Sequence, residues 1–140
     1  MKKIFISGSK KINYLPSDFE QEISRLVKSN KYEFLVGDCD GVDSLVQKFL
    51  YDLHCNNVTV YASGITPRNF YGSVEWKKIL LGYSMMENMS NYYAIKDSRM
   101  SVDCDMAMAI WDGKSKGTKN NIDRLKRLNK YVAIFKTEVK

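Results

Sequence analysis

The sequence predicts an α/β fold: a single doubly wound, Rossmann-like domain over residues 1–140, built on a mainly parallel five-stranded sheet. Three observations predict it. Short apolar runs alternate with segments of helical periodicity. The runs are continuously apolar, as in parallel strands covered on both faces. Glycine-bearing turns follow several of them directly, and in such sheets ligands bind beyond the carboxyl ends of the strands.

IFIS (4–7) is the first strand, ending in Gly8-Ser9. Residues 16–29 place Phe19, Ile23, Leu26 and Val27 on one helical face. Pro16 suits the first turn, and Asp18, Glu20 and Glu22 suit the positive end of the dipole. YEFLVG (32–37) is the second strand. A helix follows over 41–53, with Val42, Leu45, Val46, Phe49, Leu50 and Leu53 at 3/4 spacing. VTVYA (58–62) is the third strand. Residues 63–93 read as an irregular, helical insertion, in which Gly64, Pro67, Asn69 and Gly72 interrupt an aromatic stretch before a short helix around 73–81. Residues 84–104 read as an interrupted helix with a fresh start near Asp97-Ser98, whose short polar side chains can cap. MAMAIW (106–111) is the fourth strand. A helix over 118–128 turns Ile122, Leu125 and Leu128 inward, and YVAIF (131–135) is the fifth strand.

Composition bounds the function. Hydrophobic residues at 44% and charged residues at 27% describe an ordinary globular domain, large enough to fold without a metal or disulfide. No segment approaches a membrane span, and the apolar run at the N-terminus is too short for a signal peptide. Cys39, Cys55 and Cys104 are odd in number and far apart, which fits reduced thiols and a cytoplasmic location. One histidine, His54, and no C-x-x-C pattern argue against a metal site, and no cofactor is expected. The methionines, among them Met85, Met86 and Met89, read as core or interface filling.

The net charge of +6 is uneven. Residues 113–140 hold nine Lys/Arg against two Asp/Glu, a surplus of +7, while residues 1–112 hold thirteen against fourteen. On helix positions such as Arg124, Lys126, Arg127 and Lys130 this reads as a solvated face. In the turn before that helix it has a different meaning.

That turn is Asp112-Gly113-Lys114-Ser115-Lys116-Gly117-Thr118. Glycine lets a ligand approach the backbone, and a helix start leaves N–H groups free, so together they cradle an anion, most often phosphate. Ser115 and Thr118 add hydroxyl donors. The stretch contains Gly-Lys-Ser but is not a Walker A loop, because the required upstream glycine position holds Met108. A second turn, Gly37-Asp38-Cys39-Asp40-Gly41-Val42-Asp43, offers carboxylates for ribose hydroxyls, with helix capping by Asp40 and dipole pairing by Asp43 as the structural alternative. The first turn, Gly8-Ser9-Lys10-Lys11, gains weight only in combination, since the fold gathers all three turns at one edge. Trp76, Tyr92, Tyr93 and the Arg68-Asn69 turn are further candidates for lining a pocket or reaching a phosphate.

Gly8-Ser9-Lys10, Gly-Asp-x-x-Gly-x-Asp and Asp-Gly-x-Ser-x-Gly-Thr, in this order, resemble the SLOG superfamily of Rossmann-like nucleotide-ligand proteins, which includes the LOG or "lysine decarboxylase-like" phosphoribohydrolases. The likeness is greatest to small members of the YspA/YpsA-like type and covers about 1–62 and 94–136. It implies a nucleotide-derived ligand with phosphate at Gly117-Thr118, and association into a homo-oligomer, most simply a dimer. Hydrolytic members carry an Arg upstream of a Met and a Glu after the Gly-Thr. Here the Met is Met100, the Arg position holds Lys96, the Glu position holds Asn121, and Asp105 keeps the family's Asp.

Those departures bear on chemistry. N-glycosidic cleavage is helped by a carboxylate that steadies charge or activates water, and Asn can do neither. Lys in place of Arg loses the planar fork. Catalysis would then fall to Lys96 with Asp97, Asp38, Asp43 or Asp112. The reading that follows is a binder of a nucleotide-like small molecule, acting as a sensor, sequestering or carrier protein. Its alternatives are a nucleoside 5′-monophosphate N-glycosidase and a nucleic-acid or protein interaction module. The ligand-binding candidates are Gly8, Ser9, Lys10, Gly37, Asp38, Gly41, Asp43, Met100, Asp112, Gly113, Ser115, Gly117, Thr118 and Asn121.

Overall fold

The computed structural model describes residues 1–83 and 89–137. Ten elements follow in order: β1 (Lys2–Gly8), α1 (Ser17–Ser29), β2 (Tyr32–Val36), α2 (Val42–Asp52), β3 (Val58–Ala62), β4 (Lys77–Leu80), α3 (Met89–Asp103), β5 (Met106–Trp111), α4 (Lys116–Arg127) and β6 (Val132–Lys136). The strands form one sheet in the order β4-β3-β2-β1-β5-β6. Every described pairing is parallel, with Ile6 opposite Val36 on one side and Met108 on the other.

Alternation along each strand sends residues to opposite faces, and two apolar layers result. Ile4, Ile6, Phe34, Val36 and Val60 meet Phe19 and Ile23 of α1 and Val46 and Leu50 of α2. On the other face Phe5, Leu35, Tyr61 and Ala107 meet Met100 of α3 and Leu125 of α4. Placing α1 and α2 on one face and α3 and α4 on the other is what right-handed crossovers require when the chain reverses direction across the sheet. That reversal lies between β1 and β5.

The sheet has six strands where the sequence suggests five. Residues 77–80, expected within a short helix, are β4, paired with β3 from Thr59↔Lys77 to Ala62↔Leu80. Trp76, just before it, is buried in the core with its indole N–H on the Cys55 carbonyl, and is not a pocket residue. No second helix begins at Asp97-Ser98, since α3 runs unbroken through both. The fourth helix starts at Lys116, and Leu128, expected inward, is exposed. Asp40 does not cap α2. Gly41 holds that position with φ 75°, and a Cβ there would stand 2.5 Å from the Lys10 backbone, so only glycine fits. Met85 and Met86 lie outside the described residues, as do the side chains of Met89 and Tyr93. No helix among the described residues is long and apolar enough to cross a membrane.

Candidate functional site

The turns after β1, β2 and β5 meet at the carboxyl edge of the sheet. Ser9 O accepts the backbone N–H of Val42, which seats the start of α2 against the first turn. Gly8 permits this contact, because a Cβ would stand 2.5 Å from Val42 Cγ2. The three turns form two zones, an open basic groove and a buried ionic network.

The groove lies where the strand order reverses and measures about 550 Å³. Ser9, Lys10 and Lys11 line one side, and Asp112 with residues 114–117 lines the other. Asp112 shapes its own turn: Oδ1 accepts the N–H groups of Lys114 and Ser115, each at 2.8 Å. These bonds hold its carboxyl below the usual range, the Ser115 N–H contributing most. Gly113, at φ 81°, completes the turn, and the Trp111 indole N–H donates to Ser115 O at 3.1 Å. Ser115 then begins α4 without a side-chain cap. Its hydroxyl instead lies 3.4 Å from that of Thr118. The N–H groups of this first helical turn therefore receive no bond from the Ser115 side chain. Gly117 sits within the turn, and a Cβ built on it meets nothing within 4 Å beyond its own stretch of helix.

The buried network joins three helices. Lys96 is 2% exposed, and its Nζ lies 2.9 Å from Asp97 Oδ1 and 3.7 Å from Asp43 Oδ2. Asp43 Oδ2 also accepts the Cys39 N–H at 3.0 Å. The other Asp97 oxygen accepts the Asn121 amide at 3.2 Å, and Asn121 Oδ1 accepts Arg124 at 2.7 Å. Gly37 makes room: a Cβ there would stand 2.4 Å from Asp43 Oδ2 and 2.7 Å from Lys96 Nζ. Burial raises the Asp43 carboxyl to about 6, against the pull of Lys96. Burial also works against the charged Lys96, but Asp97 and Asp43 outweigh it and hold its pKa above the ordinary value. Two residues beyond Phe5 on the same face of β1, Ser7 Oγ is buried with no hydrogen-bond partner.

The remaining candidates take other roles. Asp38, 2% exposed, receives Arg68 from the loop before β4: its backbone N–H at 2.8 Å, Nε at 3.3 Å and Nη2 at 2.9 Å. Arg68 thus fastens its loop to the second turn. Asn69 adds bonds to Asp38 O and Asp40 Oδ1, and Gln47 links Gly37 O to Asn69 O. The Cys39 thiol, 3.0 Å from Arg68, is pushed up to about 11, chiefly by burial. Met100 is packed in the core, and Asp105 binds the Lys3 N–H at the opposite end of β1. Lys130 donates to Ser101 O and Val102 O, closing the last turn of α3, so part of the basic surplus is structural.

The structure therefore gathers Ser9, Lys10, Asp112, Ser115 and Gly117 at the groove and places Lys96, Asp97, Asp43 and Asn121 in the network. Lys11, Lys114 and Lys116 were readable as turn cations but not as one lining.

No protein-family model matches the chain, and no curated protein matches it. Among solved structures it is similar to DNA processing protein A from Helicobacter pylori, described for its unique single-stranded DNA binding mode. The match has a TM-score of 0.70 at 12% identity and covers 99% of this chain and 67% of that one. At this identity the likeness shows the Rossmann-like fold.

Proposed function

We propose that the protein binds a nucleotide or nucleotide-derived ligand, seating its phosphate in the groove between the β1 and β5 turns, and serves as a sensor, sequestering or carrier protein. The observation that carries this reading is the uncapped first turn of α4 with empty space above Gly117. A glycine in a helix costs about 1 kcal/mol relative to alanine, and no neighbouring protein atom occupies the space it leaves. A phosphate on the turn's N–H groups gives that space a use.

Binding is favoured over cleavage by the state of the carboxylates. Asp38 is held by Arg68, Asp97 by Lys96 and Asn121, and Asp43 is buried beside Lys96. Each is engaged in packing helices and loops together, and Asn121 brings an amide where hydrolysis needs an acid or base. Isothermal titration with nucleotides is expected to find a ligand whose binding is lost in Gly117→Asp, with no free base released on incubation. A folded protein that binds nothing across the panel would overturn the reading.

A second reading has its own support. The fold is similar to that of a protein described as binding single-stranded DNA, and the groove's lysines suit a phosphodiester backbone. Under it, affinity for an oligonucleotide falls steeply with salt.

A further inference from the structure

The two outer strands of the sheet differ in what they present at their free edges. β4 carries Lys77 and Lys78, charges of the kind that guard an edge against pairing with another strand. β6 reads Val-Ala-Ile-Phe-Lys, without proline and with its charge at the very end. Ile134 within it and Tyr131 just before it are exposed.

The flanking hydrogen bonds fix which way the β6 backbone faces. The Ala107 N–H donates to Tyr131 O, and the Thr137 N–H donates to Trp111 O. Alternation then turns the N–H and C=O groups of Ala133 and Phe135 toward β5, and those of Val132, Ile134 and Lys136 outward. No described backbone bond outside the ladders reaches these outward groups.

We infer that β6 is the docking edge for a second copy of this chain, the two strands pairing antiparallel about a two-fold axis at Ile134. Ile134 then faces Ile134 of the other copy, and Val132 faces the partner's Lys136, each pair exchanging both N–H···O bonds. Every outward group of the strand is used. A register centred on Ala133 instead sets Lys130 against the partner's Lys136, and like charges directly opposite destabilise a pair. The Lys130 N–H is moreover already given to Leu125 O. A register centred on Phe135 leaves Val132 opposite no residue of the partner's β6.

The side chains agree with the backbone. Ala133 and Phe135 lie on the α1 face, so the partner's Phe135 stands beside the small Ala133, and the reverse. That face carries a cavity of about 420 Å³ whose lining includes Met106, Met108, Ala133 and Phe135, so the incoming ring meets apolar surface. On the other face the stem of the partner's Lys136 lies along Val132 with its ammonium in water. The strand is thus its own complement, and two edges that meet leave no third, so assembly stops at a dimer. The inference is independent of the proposed ligand.

Sedimentation velocity of the full chain should show a monomer–dimer equilibrium that shifts with concentration across about 1–500 μM. Ile134 is 39% exposed, so Ile134→Lys should keep the monomer's fold by circular dichroism. It should weaken the dimer by at least about tenfold, because two lysines then face each other across the axis. Val74→Lys, on exposed surface ahead of β4, should leave the dimer intact. Hydrogen exchange of the unmodified protein gives a readout that needs no variant. The amides of Val132, Ile134 and Lys136 should slow as concentration rises, while those of Ala133 and Phe135 stay protected throughout. If Ile134→Lys fails to fold, this exchange pattern alone decides. A monomer across the whole range overturns the inference. So does a dimer that survives Ile134→Lys or leaves those outward amides fast, and so does any species larger than a dimer.

Discussion

Asn121 donates its amide to Asp97 Oδ2 at 3.2 Å, joining α4 to α3 one helical turn beyond Gly117. Through Asp97 the contact reaches Lys96, and through Lys96 it reaches Asp43 and the second turn. The position that the resemblance to phosphoribohydrolases would give to a carboxylate is occupied here by the link between two helices.

Removing the cation at the centre of that network should be costly. Lys96→Met leaves Asp43 and Asp97 without their partner, and breaking a buried pair on one side costs about 3–5 kcal/mol. Urea unfolding should show a midpoint lowered accordingly with an unchanged slope. A loss below about 1 kcal/mol would contradict the network's structural role.

Asp43 gives the network a pH dependence of known sign. Its carboxyl is raised from 3.8 to about 6 by burial, so between those values the native state holds a proton that the unfolded chain has released. Its contribution to stability is complete below pH 3.8 and is lost as pH rises through 6. Carbon-detected NMR should place the Asp43 titration near 6, well above that of the surface carboxylates.

Alanine at two glycines should have opposite effects. Gly37→Ala drives a methyl into Asp43 and Lys96 and should destabilise by about 1–3 kcal/mol, the usual range for overpacking. Gly117→Ala meets nothing and should stabilise the free protein by up to about 1 kcal/mol through helix propensity. The same methyl intrudes on the proposed phosphate seat, so Gly117→Ala should melt higher and bind more weakly. Thermal melts with titrations check both.

Arg68→Ala should free the loop ahead of β4. It strands the buried Asp38 carboxylate, and with Arg68 itself partly exposed a loss of about 2 kcal/mol is expected. Limited proteolysis should then cut first within residues 64–75.

Much of this arrangement could be read from residue order. The three turns were legible in combination, because a doubly wound sheet gathers its glycine-bearing strand ends at one edge, and the apolar runs of 4–7, 58–62 and 106–111 lie inside observed strands. β4 was not legible, since Lys-Lys-Ile-Leu has neither the length nor the apolarity of its neighbours, and an edge strand can keep its lysines in water. Asp97 looked like a helix cap because the partner that occupies it, Asn121, is twenty-four residues away and arrives only through the fold. Arg68 looked like a free cation for the same reason, its acceptor lying thirty residues earlier.

The helices that leave β1 and β5 pack on opposite faces of the sheet. The mouth between their turns is therefore a parting in the main chain, placed where two hydrogen-bonded strands send their helices to opposite faces. On the proposed reading, exchanging lysines along it would change how strongly a guest is held, while the course of the main chain stays the same. Where the groove lies would then belong to the backbone, and how tightly it holds an anion to the side chains.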